Sequence, residues 1–394
     1  LEANASVVVK GGAGADVITI SASDLAESVI AGAGADSINF ASANLTSIDV
    51  IDGGIGTDTM KVSDDVAIVD ADFTNVTNVE TLSSTGTGIS TIVTLGAEAM
   101  GAGIATVNLI DTGAATDSVT VGAGFTSALA IDLDGGSVVN TVNATNYTGA
   151  LTVTATIAEM ASAVMVLTGG SGSDTLTVDL ATADNLVATD LATITNFETF
   201  KTTDDNATTL TLSEANVTAG NTLTVNATSM LTSVLTFSGA AETSGSIDLS
   251  VAGTGDHVVT SLGNGNDTFT STGTGAITVS AALAGNNTIT TGSGVDGITG
   301  GTGDDTISSG SGIDTITFAS ANFTSGDTIN AGDGVDIISM TGDSTVIDSD
   351  FTNVTNLETL TAAGVDELSA TLGASAMAAG IVNVTLTGTA TADL

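Results

Sequence analysis

Residues 291–317 read TGSGVDGIT, GGTGDDTIS and SGSGIDTIT, which are three consecutive nine-residue segments with one pattern. Each segment has glycine at its second and fourth positions, aspartate at its sixth and isoleucine at its eighth, so the aspartates are Asp296, Asp305 and Asp314. The glycines permit a tight turn with positive φ. The isoleucine, two positions after the aspartate, shares one side of a short strand with it. We therefore predict that one nonapeptide is a turn plus a strand, and that two make one coil of a flattened helix.

The same pattern occurs elsewhere in weaker form. Residues 282–290 form a degenerate first member of the tandem block, with Asn287 in the aspartate position. Isolated copies are found at residues 11–19, 31–39, 53–61, 169–177, 262–270 and 331–339. Residues 112–120 and 253–261 carry only traces of the pattern, which gives little support for a metal site there. A single glycine-rich turn of this kind is also compatible with a purely structural turn.

The spacing of the acids predicts columns of stacked side chains. Asp296 and Asp314 are two nonapeptides apart, which is one coil, and should lie on one edge, with Asn287 and Asp305 on the opposite edge. The isolated copies recur at slightly longer intervals, as in Asp16, Asp36 and Asp58 or Asp314 and Asp336, and similar intervals lead on to Asn78, Asn196 and Asn356. We expect these asparagines to end the columns as an uncharged amide ladder. Coils of this size give on the order of twenty coils for the chain.

Stacked carboxylates require a counter-charge. Coils repeat at the strand spacing of about 4.8 Å, and acids that close repel one another strongly unless cations lie between them. Ca²⁺ binds six to eight oxygen ligands, which carboxylates and turn carbonyls supply. The composition agrees with this, because 35 of the 45 acids are Asp, a turn residue and a hard-cation ligand, and only 10 are Glu.

The nonapeptide, G-G-x-G-x-D-x-U-x with U a large apolar residue, resembles the repeats-in-toxin (RTX) family of secreted calcium-binding proteins. The resemblance implies an all-β, elongated parallel β-solenoid with a few short helical turns, and several Ca²⁺ ions held between successive turns by aspartates and glycine-loop carbonyls. The aspartates that match are Asp16, Asp36, Asp58, Asp174, Asp267, Asp296, Asp304, Asp305, Asp314, Asp333 and Asp336. The glycines that match are Gly12, Gly14, Gly32, Gly34, Gly54, Gly56, Gly170, Gly172, Gly263, Gly265, Gly292, Gly294, Gly301, Gly303, Gly310, Gly312, Gly332 and Gly334.

A second, longer repeat divides the chain. Residues 40–47, FASANLTS, return as FASANFTS at 318–325, and residues 72–82 return at 350–360 with the same offset of 278. We therefore predict a first module at 1–116, a degenerate middle β-solenoid region at 117–290, and a second copy of the module at 291–394. Short helical turns are predicted at residues 24–30, 97–100, 157–163 and 374–379.

Composition excludes several classes of protein. The chain of 394 residues has a net charge of −42, with 3 Lys plus Arg, so it is poorly suited to bind nucleic acid or an anionic membrane surface. It has no Cys, which excludes a disulfide scaffold, and His257 is its one histidine, which excludes a Cys/His metal site. No apolar run is long enough to span a membrane. The common enzyme motifs are also missing, so we predict no enzymatic activity.

The leading hypothesis is a secreted structural protein of the cell surface, exported by type I secretion. The chain looks most like the lattice-forming region of an RTX-type S-layer protein of a Gram-negative bacterium, which implies self-association into a lattice or filament. Regions outside this chain are then expected to contact cell-surface polysaccharide. One alternative is the calcium-rigidified stalk or ice-binding section of a giant RTX adhesin. Another is a fragment of an RTX hydrolase without its catalytic domain.

Overall fold

The computed structural model describes residues 8–20, 26–40, 44–84, 90–110, 116–133, 139–161, 165–182, 184–280, 284–319, 321–342, 344–363 and 368–387. Within these ranges the chain is almost entirely short parallel β-strands. Four α-helical turns occur there, at Ala97–Ala102, Ile157–Met160, Ala188–Leu191 and Ala374–Ala379, and 3₁₀ turns lie at Asp70–Phe73, Glu214–Asn216 and Asp348–Phe351. The fold is a parallel β-solenoid, as the nonapeptide pattern predicts.

The chain forms two compact units, of which the first comprises Leu1–Asp179 and Thr193–Thr199. Its longest ladder contains the strands Val17–Ile20, Ser37–Phe40, Thr59–Val62, Thr81–Ser84, Thr106–Leu109, Leu129–Asp132, Leu151–Thr156 and Thr175–Asp179. A second ladder contains Val8–Ala13, Ser28–Ala33, Val50–Ile55 and Val76–Thr77. A third contains Val66–Ile68, Thr91–Leu95, Thr116–Val121, Val139–Asn143, Val166–Thr168 and Ile194–Thr195.

The second unit comprises Leu180–Ala192 and Phe200–Leu394. One ladder contains Thr199–Thr202, Thr222–Ala227, Ser246–Val251, Thr268–Ser271, Thr288–Thr290, Thr306–Ser308, Thr328–Asn330 and Val354–Thr355. The facing ladder contains Asn185–Leu186, Thr208–Thr211, Leu235–Ser238, Val258–Ser261, Thr278–Ser280, Gly297–Thr299, Thr315–Ala319, Ile337–Thr341, Thr359–Ala363 and Asn383–Thr387. Two short pairs complete it, Ser311–Gly312 with Asp333–Gly334 and Ser344–Ile347 with Leu368–Thr371.

In most strands the side chains alternate between inward apolar and outward polar positions. Ile289 pairs with Ile307, and Ile307 pairs with Ile329, so the apolar eighth position of a repeat stacks on the equivalent residue one coil later. All three side chains are buried, while the flanking Thr288 and Thr306 face outward. A filled row of β-branched and aromatic side chains therefore forms the core, and burial of this apolar surface provides the main favourable free energy.

The coils are fewer and larger than the sequence predicts. In the tandem repeats a coil spans two nonapeptides, because Thr288 pairs with Thr306. Elsewhere a coil is longer, as the pairing of Ile92 with Ser118 shows, and the additional residues form corners such as the helix Ala97–Ala102. Among the described strands, the ladder that begins at Val17–Ile20 has eight members in the first unit, and the ladder that begins at Thr199–Thr202 has eight in the second, each coil giving one strand. The expected number of about twenty coils is therefore too high.

Most of the predicted helical turns are present. The helices Ala97–Ala102 and Ala374–Ala379 lie where expected, and the predicted turn at 157–163 begins as the helix Ile157–Met160, although residues 162–164 lie outside the described chain. The prediction at 24–30 is wrong for residues 28–30, which belong to the strand Ser28–Ala33, and residues 24 and 25 are outside the described chain. Val29 is fully buried and pairs with Val9, so parallel pairing overrides local helix propensity.

The long repeat has a structural counterpart. Oδ1 of Asp70 accepts hydrogen bonds from the backbone N–H groups of Gly96 and Ala99, at 2.7 and 2.9 Å. Asp348 does the same for Gly373 and Ala376, at 2.7 and 3.0 Å. In both copies an aspartate therefore caps the helix of the next coil. The module boundaries at 116 and 290 follow the sequence copies rather than the two compact units, and they stay a prediction.

Candidate metal sites

Buried carboxylates form a column along one edge of the second unit. The backbone N–H of Asp296 donates to Oδ1 of Asp314, and that of Asp314 donates to Oδ1 of Asp336, each at 2.8 Å. The N–H of Asp336 donates in turn to Oε2 of Glu358 at 2.8 Å. We call Asp296, Asp314, Asp336 and Glu358 the 314 column. The predicted stacking of Asp296 on Asp314 is confirmed.

The opposite edge of this unit carries a second column of the same construction. The N–H of Asp267 donates to Oδ1 of Asn287, and that of Asn287 to Oδ1 of Asp305, both at 2.9 Å. The N–H of Asp305 then donates to Oδ1 of Asp327 at 2.9 Å. We call Asp267, Asn287, Asp305 and Asp327 the 305 column. Sequence reasoning missed Asp327, because the GDTIN segment at 326–330 lacks the preceding glycine turn.

The first unit contains a similar column and a shorter pair. The N–H of Asp16 donates to Oδ1 of Asp36, and that of Asp36 to Oδ1 of Asp58, at 2.8 and 2.7 Å. The N–H of Asp58 donates to Oε2 of Glu80 at 2.7 Å. A separate pair joins the N–H of Asp174 to Oε2 of Glu198, also at 2.7 Å. The predicted stacking of Asp16, Asp36 and Asp58 is therefore confirmed.

The predicted ending of these columns in asparagine is wrong. Asn78, Asn196 and Asn356 have positive φ values of 54°, 58° and 59°, so they turn a corner of the coil in the left-handed conformation that Asn tolerates. The side-chain amide of Asn78 donates to Oδ1 of Asp52 at 2.7 Å, outside the column. The carboxylate that completes each column belongs to the glutamate two residues later. The repeated motifs NVE, NFE and NLE at 78–80, 196–198 and 356–358 were the available signal.

The lone histidine lies in a slot equivalent to the column aspartates. His257 is buried, and its Nδ1 accepts a hydrogen bond from the backbone N–H of Leu235, one coil earlier, at 3.1 Å. Its Nε2 lies 3.1 Å from the carbonyl oxygen of Ala252. The true register of this copy is therefore 252–260, AGTGDHVVT, one residue before the trace at 253–261. Nδ1 of His257 thus accepts where a column aspartate presents a carboxylate oxygen.

Six column aspartates have a second oxygen that lacks a hydrogen-bond partner. Within the described ranges, Oδ2 is buried without one in Asp36, Asp58, Asp267, Asp296, Asp314 and Asp336. A buried, unpartnered carboxylate oxygen is costly unless a cation satisfies it. Burial raises the pKa of Asp58, Asp174, Asp296, Asp305, Asp314, Asp327 and Asp336, and raises that of Asp267 to about 7. These oxygens fit the requirement of a calcium ion for hard oxygen ligands.

Two hydroxyl groups beside the 314 column are engaged with the backbone. Oγ1 of Thr291 donates to the carbonyl oxygen of Ser309 at 2.8 Å, and Oγ of Ser309 donates to the carbonyl oxygen of Ala331 at 2.7 Å. A hydroxyl has one proton to donate. Each hydroxyl also lies beside its carboxylate, since, against the larger effect of burial, Thr291 lowers the pKa of Asp296 and Ser309 lowers that of Asp314. Because the hydroxyl protons are directed to backbone carbonyls, a cation is the stronger partner that these carboxylates lack.

In three repeats the second oxygen is used locally. Oδ2 of Asp16 accepts from the N–H of Gly12 at 2.7 Å, and Oδ2 of Asp305 accepts from the N–H of Gly301 at 3.1 Å. Asp174 makes the same contact with Gly170, at 2.6 Å. The carboxylate in these copies is thus held against its own glycine turn, which orients it without a second side chain.

The glycine turns stack with no space for side chains between them. Gly310 has a φ of 87°, and a Cβ added there would lie 1.9 Å from the carbonyl oxygen of Gly292, one coil earlier. A Cβ at Gly332 would lie 1.7 Å from the carbonyl oxygen of Gly310. The same overlap with the preceding coil is found at Gly32, Gly34, Gly54, Gly56, Gly172, Gly265, Gly294, Gly303, Gly312 and Gly334. These turns therefore form a row of closely spaced backbone carbonyls beside each aspartate column.

Two predicted ligands lie outside the buried columns. Asp304 is exposed, and its backbone N–H donates to Oδ1 of Asn286 at 2.9 Å, as part of an outer polar row one residue before the 305 column. Asp333 is exposed in the short strand Asp333–Gly334. Their roles as metal ligands stay predictions, and the burial that supports the column aspartates does not extend to them.

The donor set combines two kinds of oxygen. Among the residues that the structure describes, no group of three or more His, Asp or Glu side chains converges as in an all-side-chain metal site. Each position of a column instead brings a carboxylate next to the stacked carboxylate and the glycine carbonyls of adjacent coils. Such a mixed carboxylate and carbonyl set suits Ca²⁺ more than Zn²⁺ or Mg²⁺. The column aspartates and their glycine turns are therefore the residues that would hold it.

Comparison with known proteins supports this assignment. Residues 282–316 match the model of the RTX calcium-binding nonapeptide repeat, with four copies, and residues 282 and 283 of this segment lie outside the described chain. The resemblance noted in the sequence is confirmed for this segment, and the chain contains calcium-binding repeats with multiple sites. A search of curated proteins gave no match to the chain. In the described part of the chain, no helix has the length and apolar character needed to cross a membrane.

Proposed function

We propose that the chain is a structural subunit of an extracellular, calcium-dependent S-layer, lattice or filament at the surface of a Gram-negative cell. The observation that carries this proposal is the set of buried aspartate columns with unpartnered oxygens in a solenoid that contains RTX repeats. Without calcium, carboxylates stacked one coil apart repel one another, so folding depends on the metal. RTX repeats are typical of secreted proteins, and type I export of an unfolded chain into calcium-rich surroundings agrees with this dependence.

The proposed partner is a second copy of the same chain. With 45 acids and 3 basic residues, two copies can approach only where their surfaces carry little charge. The outward face of one ladder in the second unit offers Thr268, Thr288, Thr306 and Thr328 in register. Uncharged hydroxyl rows of this kind permit close packing of copies without repulsion between carboxylates.

An apolar ridge gives a more specific contact. Val295, Ile313 and Val335 each precede an aspartate of the 314 column and are 65%, 55% and 53% exposed. Exposed β-branched side chains that repeat along one edge favour contact with another protein surface. We assign this ridge to contacts between copies, and we assign any anchoring to cell-surface polysaccharide to regions outside this chain. The proposal includes no catalytic role.

Electron microscopy of the purified chain tests the proposal. In millimolar calcium we expect a two-dimensional lattice or filaments, and in calcium-free buffer dispersed chains. A variant with Val295, Ile313 and Val335 all changed to Thr should fold with calcium but fail to assemble. Val166→Thr is the control, because Val166 is an exposed valine of the first unit that does not belong to the ridge, and its change should leave assembly intact.

Other outcomes would favour the alternative functions. A monodisperse protein that produces thermal hysteresis in ice would support the ice-binding section of an adhesin, and a monodisperse, rigid rod without hysteresis would support a stalk. Turnover of peptides, lipids or glycans would support a hydrolase fragment. Any of these results, with no assembly in calcium, would contradict the structural lattice.

A further inference from the structure

Glu242 lies in a turn that carries no nonapeptide motif, directly beneath the repeat at 262–270. The N–H of Asn264 donates to the carbonyl oxygen of Glu242 at 3.3 Å, which places the two turns in adjacent coils. A Cβ at Gly265 would lie 1.8 Å from the carbonyl oxygen of Gly245, so the turns stack as the glycine turns of the tandem repeats do. The segment 239–245 therefore occupies the place of a repeat that precedes Asp267.

The Glu242 carboxylate points into its own turn and uses one of its two oxygens. Oε1 accepts hydrogen bonds from the backbone N–H of Ser244, at 2.6 Å, and of Gly245. Oε2 is buried and has no hydrogen-bond partner among the described residues. The whole side chain is 0% exposed. A glutamate held in this way is rare in a protein interior unless a cation or a second polar group satisfies it.

Asp267, in the adjacent coil, likewise has one carboxylate oxygen that accepts a hydrogen bond and one that does not. Its Oδ1 accepts from the N–H of Ile247 at 2.8 Å, and its Oδ2 is buried without a partner in the described chain. The stacked turns bring the two carboxylates to one corner. Gly245 donates its backbone N–H to Oε1 of Glu242. A Cβ added at Gly265, which would overlap the carbonyl oxygen of Gly245, would also lie 3.0 Å from Oδ1 of Asp267. Two buried acids that repel each other and each leave one oxygen unpartnered define a site for a positive ion.

Backbone oxygens at the same corner complete the donor set. Gly263 has a φ of 111°, and a Cβ added there would lie 3.2 Å from the carbonyl oxygens of both Gly239 and Glu242. Like the glycine-turn carbonyls beside the other columns, these are backbone oxygens of a turn that lies next to a column carboxylate. Carboxylate and carbonyl oxygens together favour calcium among the common divalent ions.

We propose that Glu242 and Asp267 share one calcium ion, which closes the end of the 305 column at a coil without a nonapeptide. Glu242 replaces the glycine turn and aspartate of a missing repeat by providing a carboxylate from within the turn itself. The inference depends on calcium binding by the repeats but not on the proposed lattice. It extends the metal sites beyond the residues that the repeat pattern identifies.

The test compares calcium stoichiometry in matched variants. Glu242→Gln keeps an oxygen that can accept from Ser244 and Gly245 but replaces the unpartnered oxygen by an amide. Glu214→Gln is the control, because Glu214 is an exposed acid that contacts the same turn, with Oε1 accepting from the hydroxyl of Thr243 at 2.9 Å. Equilibrium dialysis against calcium, followed by metal analysis, should show one ion fewer for Glu242→Gln, or at least a tenfold weaker site. Glu214→Gln should keep the full number.

A second variant keeps the proposal falsifiable if Glu242→Gln does not fold. Asp267→Asn should also lose one ion, and where both variants fold, the double variant should lose the same ion rather than two, since both side chains bind it. A full calcium count and unchanged affinity in either single variant would overturn the proposal. Independent loss of two ions by the double variant would also overturn it. Retained calcium binding by the tandem repeats in all variants separates this result from a general failure to bind calcium.

Discussion

The backbone N–H of Asp314 donates to one carboxylate oxygen of Asp336 at 2.8 Å, while the other oxygen of Asp336 is buried with no hydrogen-bond partner in the described chain. The first oxygen accepts a hydrogen bond directly before the paired strands Thr315–Ala319 and Ile337–Thr341 begin, and thereby helps to fix the register of two coils. The second oxygen is available to bind a cation. The two roles of one carboxylate link the structure of the solenoid to the proposed metal dependence.

Removal of a single column charge should have opposite effects with and without calcium. In Asp314→Asn the amide oxygen can still accept from Asp296, but the negative ligand is lost. We expect a loss of about 2–3 kcal/mol in the free energy of unfolding in saturating calcium, because the charged interactions with the metal are weakened. In calcium-free buffer the same variant should be equal to or more stable than the parent, because an uncompensated buried charge is removed.

Urea unfolding in saturating calcium, together with the β-strand signal in circular dichroism that remains in calcium-free buffer, measures this change of sign. Glu98→Gln is the control, since Glu98 is an exposed acid of the helix Ala97–Ala102, outside the columns, and its change should affect stability little under either condition. If Asp314→Asn destabilised the protein equally in both buffers, its role would be structural, and the metal assignment of this column would be wrong.

Glycine stacking predicts a destabilisation that calcium does not rescue. Gly310→Ala would place a Cβ 1.9 Å from the carbonyl oxygen of Gly292 and requires a positive φ. We expect a loss of more than about 2 kcal/mol at every calcium concentration that folds the parent, including saturating calcium. Gly297→Ala is the control, because Gly297 lies in a strand with no atom within 4 Å of an added Cβ, and its change should stay within about 1 kcal/mol. Equal melting temperatures for the two variants would contradict the close stacking of the turns.

The single histidine should be important for stability although it is not a ligand. In His257→Ala, the N–H of Leu235 and the carbonyl of Ala252 both lose their partner in a buried environment. The expected cost is about 2–4 kcal/mol. His257→Gln, which offers both an acceptor and a donor, should recover part of the loss. Thermal unfolding in calcium measures both variants, and an unchanged His257→Ala would show that this slot needs no acceptor.

The raised pKa values predict a reversed pH dependence for the calcium-free protein. Burial raises the pKa of Asp296, Asp305 and Asp314 above the usual range of an aspartate, and that of Asp267 to about 7. The folded state then holds more protons than the unfolded state, so this contribution to stability is full below about pH 4 and is lost as the pH rises towards about 7. In calcium the sign is opposite, because protons compete with the metal and binding weakens as the pH falls.

Unfolding midpoints measured across the range from mildly acidic to neutral pH test both slopes. Calcium-stripped protein should become less stable as the pH rises, and calcium-loaded protein should become more stable. Parallel slopes in the two buffers would contradict the account.

Features that are contained in a short stretch of sequence could be predicted, whereas features that depend on the three-dimensional path of the chain could not. The turn, the strand and the aspartate slot are all contained in nine residues, so the tandem block and the columns through Asp36, Asp305 and Asp314 were predictable. Glu80, Glu198 and Glu358 were missed: the N-x-E motif recurs in the sequence, but the choice between its asparagine and its glutamate depends on where the corner turns in three dimensions. Glu242 was still less accessible, since its turn shares no motif with the repeats and is identified by burial and by its contact with the coil above.

The number of coils could not be predicted correctly for a similar reason. The spacing of the aspartates gives the coil length where nonapeptides set the corners, whereas the coil that joins Ile92 to Ser118 is longer than this spacing predicts. Corners that contain a helix, such as Ala97–Ala102, are rich in alanine and lack the glycine signature of the nonapeptide. Their length is determined by packing against the preceding coil, which the periodicity of the sequence does not report.

Circular dichroism during calcium titration tests the central claim most directly. The calcium-stripped chain at neutral pH should be largely unfolded, and addition of calcium to millimolar concentration should produce a cooperative gain of the β-strand signal. Magnesium at the same concentration should give a much smaller change, because it prefers rigid octahedral sites and retains its water ligands. A spectrum that is already fully β in stripped buffer and does not change with calcium would contradict the account that the buried aspartate columns require the metal to fold.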